Sequence, residues 1–396
     1  MASHLTPATD TDIDAIVAAT RSVVGYRDNF VPLHEPEFRG NELAYVSDCV
    51  ETGWVSSVGA FVDRIERDLA DFTGAKRAIA VTNGTAALHV ALLLAGVEPG
   101  DEVLIPTLTF IATANAVSYC AATPHFVDSE DVSLGIDAAK LGAYLRDIAE
   151  VRANLCYNRL TGARISALVV MHVFGHPSDL DPLAEVAARW KLALVEDAAE
   201  SLGSYYKGAH TGHRGMVGTL SFNGNKTMTT GGGGAILTDN EALGDRAKHL
   251  TTTARIKHNW NFVHDAIGYN YRMPNLNAAL GCAQLERLPD LLARKRTLAG
   301  SYEAAFKHLP GAAFLAEPAE TISNYWLNAI VLAPHLKPER DTLLDRLNGE
   351  HMMARPIWTL MHRLPMYAQC PHGDLSVAED MEARVINLPS SPNLAD

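Results

Sequence analysis

The segment Ser-Phe-Asn-Gly-Asn-Lys-Thr-Met-Thr-Thr-Gly-Gly-Gly-Gly, residues 221–234, places a single lysine, Lys226, among small, flexible and hydroxyl-bearing residues. The glycines at its end allow the backbone to approach another backbone, or a ligand, where a Cβ atom would not fit. Ser221 and the three threonines supply short hydroxyl groups for an anion. An ordinary surface loop is the alternative for such a segment taken alone. We interpret Lys226 as a Schiff-base lysine in the site of a phosphate-bearing cofactor.

An acidic residue, Asp197, lies upstream of this segment at the end of an apolar run. The run 192–195 is typical of a buried parallel strand. The carboxyl ends of such strands are where open α/β sheets bind ligands. An acid there suits pyridoxal phosphate, because a carboxylate keeps the pyridine nitrogen protonated and lets the ring act as an electron sink. The alternative is that Asp197 only caps the following helix.

A third segment, residues 81–95, predicts the end of a strand, a turn and a strongly apolar helix. Residues 83–85 would lie at the N-terminus of that helix. Free N–H groups and the positive end of the helix dipole make such a position suitable for a phosphate, and Thr85 adds a hydroxyl group. Ordinary N-capping is the alternative for this segment taken alone.

Five sequence blocks together resemble the sugar aminotransferases of the DegT/DnrJ/EryC1/StrS group, within the fold type I aspartate aminotransferase superfamily. The resemblance runs from about residue 31 to the end and is specific because the blocks stand in the family's order and approximate spacing. The blocks are Asn-Gly-Thr-Ala-Ala-Leu at 83–88, Pro-Thr-Leu-Thr-Phe-Ile-Ala-Thr at 106–113, Glu-Asp-Ala-Ala-Glu at 196–200, Ser-Phe-Asn-Gly-Asn-Lys at 221–226 and Gly-Tyr-Asn-Tyr-Arg-Met at 268–273.

This resemblance implies an α/β fold of the fold type I pyridoxal-phosphate transferases. The large cofactor domain would hold a mainly parallel, seven-stranded sheet between helices, and a smaller α+β domain would follow at the C-terminus. We expect an N-terminal extension over 1–39, the large domain over 40–288 and the small domain over 289–396. Along the chain, apolar runs at 78–81, 102–105, 124–127, 167–171 and 192–195 predict parallel strands. Helices are expected at 12–24 and 291–308.

The resemblance also implies roles for individual residues. Lys226 would form the internal aldimine and shuttle protons, and Asp197 would hold the pyridine nitrogen. Phe110 would stack on the ring, and Glu200 would lie near the ring and its 3′ oxygen, where relatives usually carry glutamine or histidine. Asn270 would complete the phosphate cup from the neighbouring subunit. The implied cofactor-binding residues are Gly84, Thr85, Phe110, Asp197, Glu200, Ser221, Lys226 and Asn270.

Within the family the chain is most similar to LegC-type aminotransferases, which act at C4 of a UDP-linked 4-keto-6-deoxy-N-acetylhexosamine. The resemblance implies ping-pong chemistry in which L-glutamate gives its amino group to the cofactor and leaves as 2-oxoglutarate, with pyridoxamine phosphate carrying the amine. It also implies a homodimer with shared active sites. Aromatic residues among the implied sugar contacts could equally be packing residues. Those contacts are Trp54, Ser56, Ser57, His264, Tyr271 and Arg272.

One departure from the family pattern is visible, and three alternative functions stay open. Many relatives read Thr-Gly-Glu-Gly-Gly where this chain has Gly232 in place of the acid. Relatives with histidine in place of the lysine act as dehydratases, so Lys226 favours amino transfer. A C3 aminotransferase, a dehydratase on the same fold and a non-catalytic relative are the alternatives.

Composition agrees with a large cytoplasmic enzyme. The chain has 396 residues, 47% of them apolar, and can bury a substantial core. A formal net charge of −13 without a basic tract argues against a nucleic-acid partner. No apolar stretch reaches the ~20 residues that span a bilayer, and residues 1–12 lack the features of a secretory signal.

The cysteines and histidines predict neither disulfides nor a metal site. The five cysteines form no C-x-x-C pair and no even set, which argues against a disulfide framework or structural zinc. His210 and His213 are close enough in sequence to suggest metal ligands. We interpret them instead as loop or substrate-contacting histidines.

Overall fold

The computed structural model describes residues 7–27 and 29–396. Its α-helices within these ranges are α1 (Pro7–Val24), α2 (Glu42–Thr52), α3 (Ala60–Thr73), α4 (Gly84–Leu94), α5 (Ile111–Tyr119), α6 (Ala138–Ile148), α7 (Leu180–Trp190), α8 (Glu241–Thr251), α9 (Asn275–Phe306), α10 (Arg340–Gly349) and α11 (Ser376–Glu382). The short 3₁₀ helices are Val173–Gly175, Pro334–Glu339, Met361–Arg363 and Pro392–Ala395.

The strands within the same ranges are β1 (Arg77–Val81), β2 (Glu102–Pro106), β3 (Thr123–Val127), β4 (Ala149–Arg152), β5 (Leu155–Asn158), β6 (Arg164–Met171), β7 (Ala193–Asp197), β8 (Tyr205–Tyr206), β9 (Ala209–His210), β10 (Val217–Ser221), β11 (Gly234–Thr238), β12 (Arg255–Ile256), β13 (Val263–His264), β14 (Ala312–Phe314), β15 (Thr321–Ile322), β16 (Asn328–Leu332), β17 (Arg355–Pro356) and β18 (Val385–Leu388). All five strands predicted above are present, and their ends differ from the predicted ones by at most three residues.

Seven strands form the central sheet in the order β1-β11-β10-β7-β6-β2-β3. The pairs β10–β7, β7–β6, β6–β2 and β2–β3 are parallel, whereas β11 runs antiparallel to both of its neighbours. The antiparallel hairpin β4–β5 joins the start of β6 and extends the sheet to nine strands. The mainly parallel sheet predicted from the sequence is therefore confirmed.

Helices cover both faces of this sheet because successive side chains of a strand point to opposite faces. In β6, Ala167 and Val169 pack into the core beneath α4 and α5. Their neighbours Leu168 and Val170 pack into a separate core with α6 and α7. All four are buried, which explains why β6 is an unbroken apolar run rather than an alternating one.

The helix expected at 291–308 begins much earlier, because α9 runs for 32 residues from Asn275 and contains Pro289. A proline inside a helix costs about 3 kcal/mol or more, since it removes a hydrogen bond and clashes with the preceding turn. Burial on both sides of the proline offsets this cost. Cys282 and Leu285 pack with α3 before it, and Leu298 packs into the C-terminal core after it. A domain division at 288/289 stays a proposal, and it falls inside this helix.

A second, antiparallel sheet with the order β14-β16-β18-β17 lies in the C-terminal part of the chain. The helix predicted at 12–24 is α1, whose Ile13, Ile16 and Val17 pack into the same core as Ile330 of β16. Thus α1 is a layer on the small sheet. Residues 1–6 of the predicted extension lie outside the described residues.

No helix in the described part of the chain is both long and apolar enough to cross a membrane.

Candidate active site

A cavity of about 610 Å³ opens at the carboxyl ends of β7 and β10, beside the N-terminus of α4. This is the edge of the sheet at which α/β proteins bind ligands. The cavity brings together residues from four predicted sequence blocks. The cofactor-binding candidates in its wall are Gly84, Thr85, Phe110, Asp197, Glu200, Ser221 and Lys226.

Lys226 lies in the loop between β10 and β11, with its amine inside the protein. The Nζ atom lies 3.2 Å from Oε1 of Glu200 and 3.7 Å from the centroid of the Trp326 ring. The side chain is only 12% exposed. The loop is a tight turn, since the N–H of Lys226 donates to the carbonyl of Asn223 at 3.0 Å. A lysine held between a carboxylate and an aromatic face is not a solvated surface charge.

The glycine run after Lys226 allows the close approach that the sequence predicted. A Cβ atom on Gly233 would lie 2.1 Å from Oγ1 of Thr230, and one on Gly234 would lie 2.6 Å from the carbonyl of Leu220. Neither position has room for a side chain. Gly232 differs, because the nearest atom to its added Cβ is 3.9 Å away. Packing around the backbone therefore does not require a glycine at position 232.

Asp197 is the last residue of β7, and its carboxylate is buried. The hydroxyl of Thr113 donates to Oδ2 at 2.7 Å, and the backbone N–H of Ala199 donates to Oδ1 at 3.2 Å. Burial raises the pKa of the Asp197 carboxyl above its ordinary value, and these two hydrogen bonds oppose the rise. A turn, and not a helix, follows the strand, so Asp197 is not the N-cap of an α-helix. The helix-capping alternative is wrong.

Glu200 is also buried and connects Lys226 to the sheet edge. Its Oε2 accepts a hydrogen bond from the backbone N–H of Phe174 at 2.9 Å, leaving Oε1 for the amine of Lys226. Phe174 has a φ of 55°, which costs energy for a residue with a side chain. Burial raises the pKa of Glu200 to about 7, while the nearby Lys226 opposes the rise. Glu200 can therefore exchange a proton near neutral pH.

We expect Glu200→Gln to change how stability depends on pH. A carboxyl group whose pKa is raised on folding stabilises the folded state below its unfolded pKa, and this contribution is lost as pH rises through the folded value. Between about pH 4.5 and pH 7 the free energy of unfolding of the unmodified chain should fall by up to about 3 kcal/mol relative to that of the variant. Thermal unfolding measured across this range tests it, with the exposed Glu185→Gln as control. Parallel curves for the Glu200 variant and the unmodified chain would contradict the prediction.

The N-terminus of α4 forms a cradle that fits a phosphate group. Asn83 caps the helix by accepting a hydrogen bond from the N–H of Ala86 at 2.8 Å, so the capping alternative is also correct. Within the described residues, the N–H groups of Gly84 and Thr85 and the hydroxyls of Thr85 and Ser221 have no hydrogen-bond partner. A Cβ atom on Gly84 would lie 2.9 Å from the Cβ of Ser221 and fill the gap. Free N–H groups, hydroxyls and the helix dipole together suit an anion.

These features test whether pyridoxal phosphate suits the site. The cradle supplies donors for its phosphate, Asp197 supplies an acid for its pyridine nitrogen, and Lys226 supplies an amine for its aldehyde. Phe110 stands between them, with its side chain half exposed and its ring 6.3 Å from that of Trp358. The residues present fit the group. The stacking of Phe110 on a cofactor ring stays a prediction.

Several residues of the cavity were missed in the sequence analysis. Trp326, Arg355, Trp358 and Asn387 reach it from the small sheet and its connections. All four residues lie within 289–396, the range predicted for the small domain. An aromatic residue or a cation in an otherwise apolar stretch of sequence does not indicate a site by itself.

Seven predicted residues lie outside this cavity, among them Ser57, which lies near the N-terminus of α3. The loop with Trp54 and Ser56 is tied to the start of α9, where the backbone N–H of Asn275 donates to the carbonyl of Ser56 at 2.6 Å. Arg272 lies near the N-terminus of α3, and its Nε donates to Oδ1 of Asn270 at 2.9 Å. The residues outside the cavity are Trp54, Ser56, Ser57, His264, Asn270, Tyr271 and Arg272. Their roles, which the sequence analysis assigned partly across a subunit interface, stay predictions.

His210 and His213 bind protein groups in the structure. The Nε2 atom of buried His210 accepts a hydrogen bond from the N–H of Gly203 at 2.8 Å, and His213 lies 3.1 Å from Asp239. Among residues 7–27 and 29–396, no group of three or more histidine, cysteine or acidic side chains could hold a metal ion.

Comparisons with known proteins point in one direction. A sequence model of the DegT/DnrJ/EryC1/StrS aminotransferase family matches residues 36–396. The chain is 37% identical to a GDP-perosamine synthase of Escherichia coli O157:H7 over 93% of this chain and 95% of that protein. It is 38% identical to a GDP-perosamine synthase of Caulobacter vibrioides over 91% and 93% of the two chains. The crystal structure of the aminotransferase TlmJ from Streptoalloteichus hindustanus superposes with a TM-score of 0.82 at 27% identity, covering 91% and 94%.

Proposed function

Since the chain belongs to the DegT/DnrJ/EryC1/StrS aminotransferase family, we propose that it transfers the amino group of L-glutamate to the C4 ketone of a nucleotide-linked 4-keto-6-deoxy sugar. The family is pyridoxal-phosphate-dependent. One observation carries the proposal: a single cavity joins an amine, a buried acid and a phosphate cradle. Bound pyridoxal phosphate supplies an electron sink and a carrier for the amino group.

In this proposal each side chain of the site has a separate role in the reaction. Lys226 would hold the aldehyde of the cofactor through its amine, and the same amine would act as a general acid and base. Glu200 holds the free amine at 3.2 Å and can share its proton. Asp197 would keep the pyridine nitrogen of the cofactor protonated, and burial would strengthen that interaction because little water screens it. The free N–H groups of α4 orient the phosphate.

The donor would be recognised by its carboxylate groups. Arg355 of β17 is an exposed residue that lines the cavity, and its guanidinium group has no hydrogen-bond or ion-pair partner among the described residues. An unpaired arginine facing an apolar and aromatic wall suits a bidentate carboxylate. We therefore assign Arg355 to the amino donor within this proposal.

Replacing Arg355 by methionine should weaken the half-reaction with glutamate. A hydrogen bond to a charged group contributes more binding free energy than one between neutral groups. We therefore expect KM for glutamate to rise roughly 10- to 100-fold. KM for the keto sugar should change by less than about twofold, because in this proposal the guanidinium group binds glutamate and not the sugar. Steady-state kinetics with each substrate varied in turn measure both values. Arg152→Met, on the distant β4–β5 hairpin, is the control. Equal rises in the two KM values would remove Arg355 from this role.

The nucleotide of the sugar is part of the proposal. The sequence resemblance suggested UDP, whereas the two named relatives are GDP-perosamine synthases. The relatives at 37% and 38% identity cover nearly the whole chain, and we therefore place a GDP-linked keto sugar first and the UDP-linked N-acetyl compound second.

The proposal includes a homodimer with shared sites. Asn270 lies outside the cavity of its own chain, in a segment that exposes large apolar side chains. Trp260, Phe262 and Ile267 are 74%, 76% and 84% exposed, respectively. Exposed apolar clusters of this kind mark interaction surfaces. A second copy that covers them would bring Asn270 towards a phosphate cradle.

An absorption spectrum tests the proposed reaction. We expect the purified protein with pyridoxal phosphate to show a Schiff-base band that L-glutamate bleaches and that a GDP-linked or UDP-linked 4-keto sugar restores. Comparison of the two sugars identifies the nucleotide. A band that responds to neither sugar would contradict the acceptor, and the absence of any band would contradict the role of Lys226.

A further inference from the structure

Lys295 of α9 is a lysine buried without a carboxylate partner. Only 1% of its surface is exposed, and no ion pair joins it to an acid within the described residues. Burial lowers its pKa to about 7. Burying an ammonium group is costly unless it is paired and hydrogen-bonded, so an apolar residue would be the expected choice at this position. A lysine here therefore needs an explanation.

The Nζ atom of Lys295 binds two backbone carbonyl groups from distant parts of the chain. It donates to the carbonyl of Trp326 at 3.1 Å and to the carbonyl of Ser390 at 2.7 Å. Ser390 follows β18, the central strand of the small sheet, whereas Trp326 precedes β16. Lys295 therefore joins three segments at the base of the candidate active site.

Trp326 carries this connection to the reactive amine. Its ring lies 3.7 Å from Nζ of Lys226, and its Nε1 donates to the carbonyl of Asn225 at 2.7 Å. Its backbone N–H donates to Oδ1 of Asn324 at 2.8 Å. With the carbonyl held by Lys295, the tryptophan is fixed at both ends of its backbone and at its indole. The position of the indole face is thus determined by hydrogen bonds, and Lys295 supplies one of them.

We propose that Lys295 is a positioning residue: it holds the backbone of Trp326 so that the indole face stays against the amine of Lys226, and it thereby sets how readily that amine forms a Schiff base. This inference rests on the proposed role of Lys226. Lys295 does not itself line the cavity and makes no hydrogen bond to Lys226 among the described residues, although the charges of both lysines act on buried His34. Its hydrogen bond towards the site is the one to Trp326.

A matched control separates positioning from simple support of the fold. Tyr302 lies on the same helix, is buried like Lys295, and donates from its hydroxyl to the carbonyl of Pro389 at 3.0 Å. Tyr302→Phe removes a buried hydrogen bond to the same turn but leaves Trp326 untouched. Lys295→Met keeps the length of the side chain and removes both of its hydrogen bonds. The two variants therefore differ in their effect on Trp326.

The experiment measures how fast pyridoxal phosphate forms a Schiff base with the full-length protein after its cofactor has been removed. We expect Lys295→Met to slow this step about tenfold, because a small misplacement of a reacting group costs up to about 10²-fold. Tyr302→Phe should stay within about twofold at a temperature well below unfolding. In a Trp326→Phe background, Lys295→Met should slow the step by less than about twofold. The indole that Lys295 positions is already missing there, so removing Lys295 as well has little further effect.

The inference is overturned if Lys295→Met and Tyr302→Phe slow the step equally, or if the Lys295 effect is undiminished without Trp326. If Lys295→Met does not unfold cooperatively, Lys295→Gln, whose side chain is one atom shorter, enters the same comparison. An unmodified chain that forms no Schiff-base band overturns the role of Lys226 and this inference with it. A normal band with an unchanged rate in the Lys295 variant overturns this inference alone.

Discussion

Lys226→Ala should abolish amino transfer while the protein stays folded. The amine has two duties in the proposed reaction, as the Schiff-base nucleophile and as the group that moves protons, and alanine can perform neither. We expect turnover to fall by at least roughly 10⁴-fold, at the upper end of the range for losing a general acid or base. The absorbance band of the protein-bound Schiff base should be missing as well. Both effects are measured on one sample by a spectrum and a glutamate half-reaction.

Stability should change little in this variant. Among the described residues, the amine of Lys226 contacts the carboxylate of Glu200 and the ring of Trp326, and its side chain lines the site cavity. Circular dichroism and thermal unfolding verify that the fold is retained, and Lys76→Ala, at an exposed lysine, serves as the control. Retained turnover in a folded Lys226→Ala protein would exclude the proposed mechanism.

Asp197→Asn should have the second largest effect, with opposite consequences for activity and stability. Asparagine fills the same space but carries no charge to hold a proton at the pyridine nitrogen. Loss of a preorganised charge at a reacting group costs about 10²- to 10³-fold in kcat, and we expect a fall of that size. Single-turnover rates with glutamate measure it.

The stability of the cofactor-free protein should not fall in this variant. Burial raises the pKa of Asp197, so the charged carboxylate destabilises the folded state increasingly as pH rises above the unfolded value. At neutral pH a neutral amide avoids that cost, and the unfolding temperature should be unchanged or higher. The exposed Asp71→Asn is the control. A large loss of stability with normal turnover would show that Asp197 serves the fold and not the reaction.

The chemistry of the candidate site was largely readable from short segments of sequence. Asp197 was placed at a strand end because the preceding run is apolar, and β7 ends at that residue. The glycines after Lys226 predicted close backbone contact, and two of them have no room for a Cβ atom. Residues 83–85 were placed at a helix N-terminus, and α4 begins at Gly84. These features depend on neighbours in the chain, so local periodicity and glycine content suffice to find them.

Contacts between distant segments were decided only by the tertiary structure. Trp326 lies 3.7 Å from Lys226 although 100 residues separate them, and Arg355 enters the cavity from a different sheet. No local pattern distinguishes such residues from ordinary core or surface residues. The continuity of α9 through Pro289 has the same origin, because long-range packing on both sides offsets a local penalty.

The sequence by itself therefore determined which chemical groups the protein has and at which ends of strands and helices they stand. Helix and strand periods, caps and glycine positions follow from interactions within a few residues. The tertiary structure decided which of these groups meet, how deeply Glu200 and Asp197 are buried, and that Lys295 reaches Trp326. Burial and hydrogen bonding between remote segments depend on the packing of the whole chain, and the pKa shifts in the site depend on that burial.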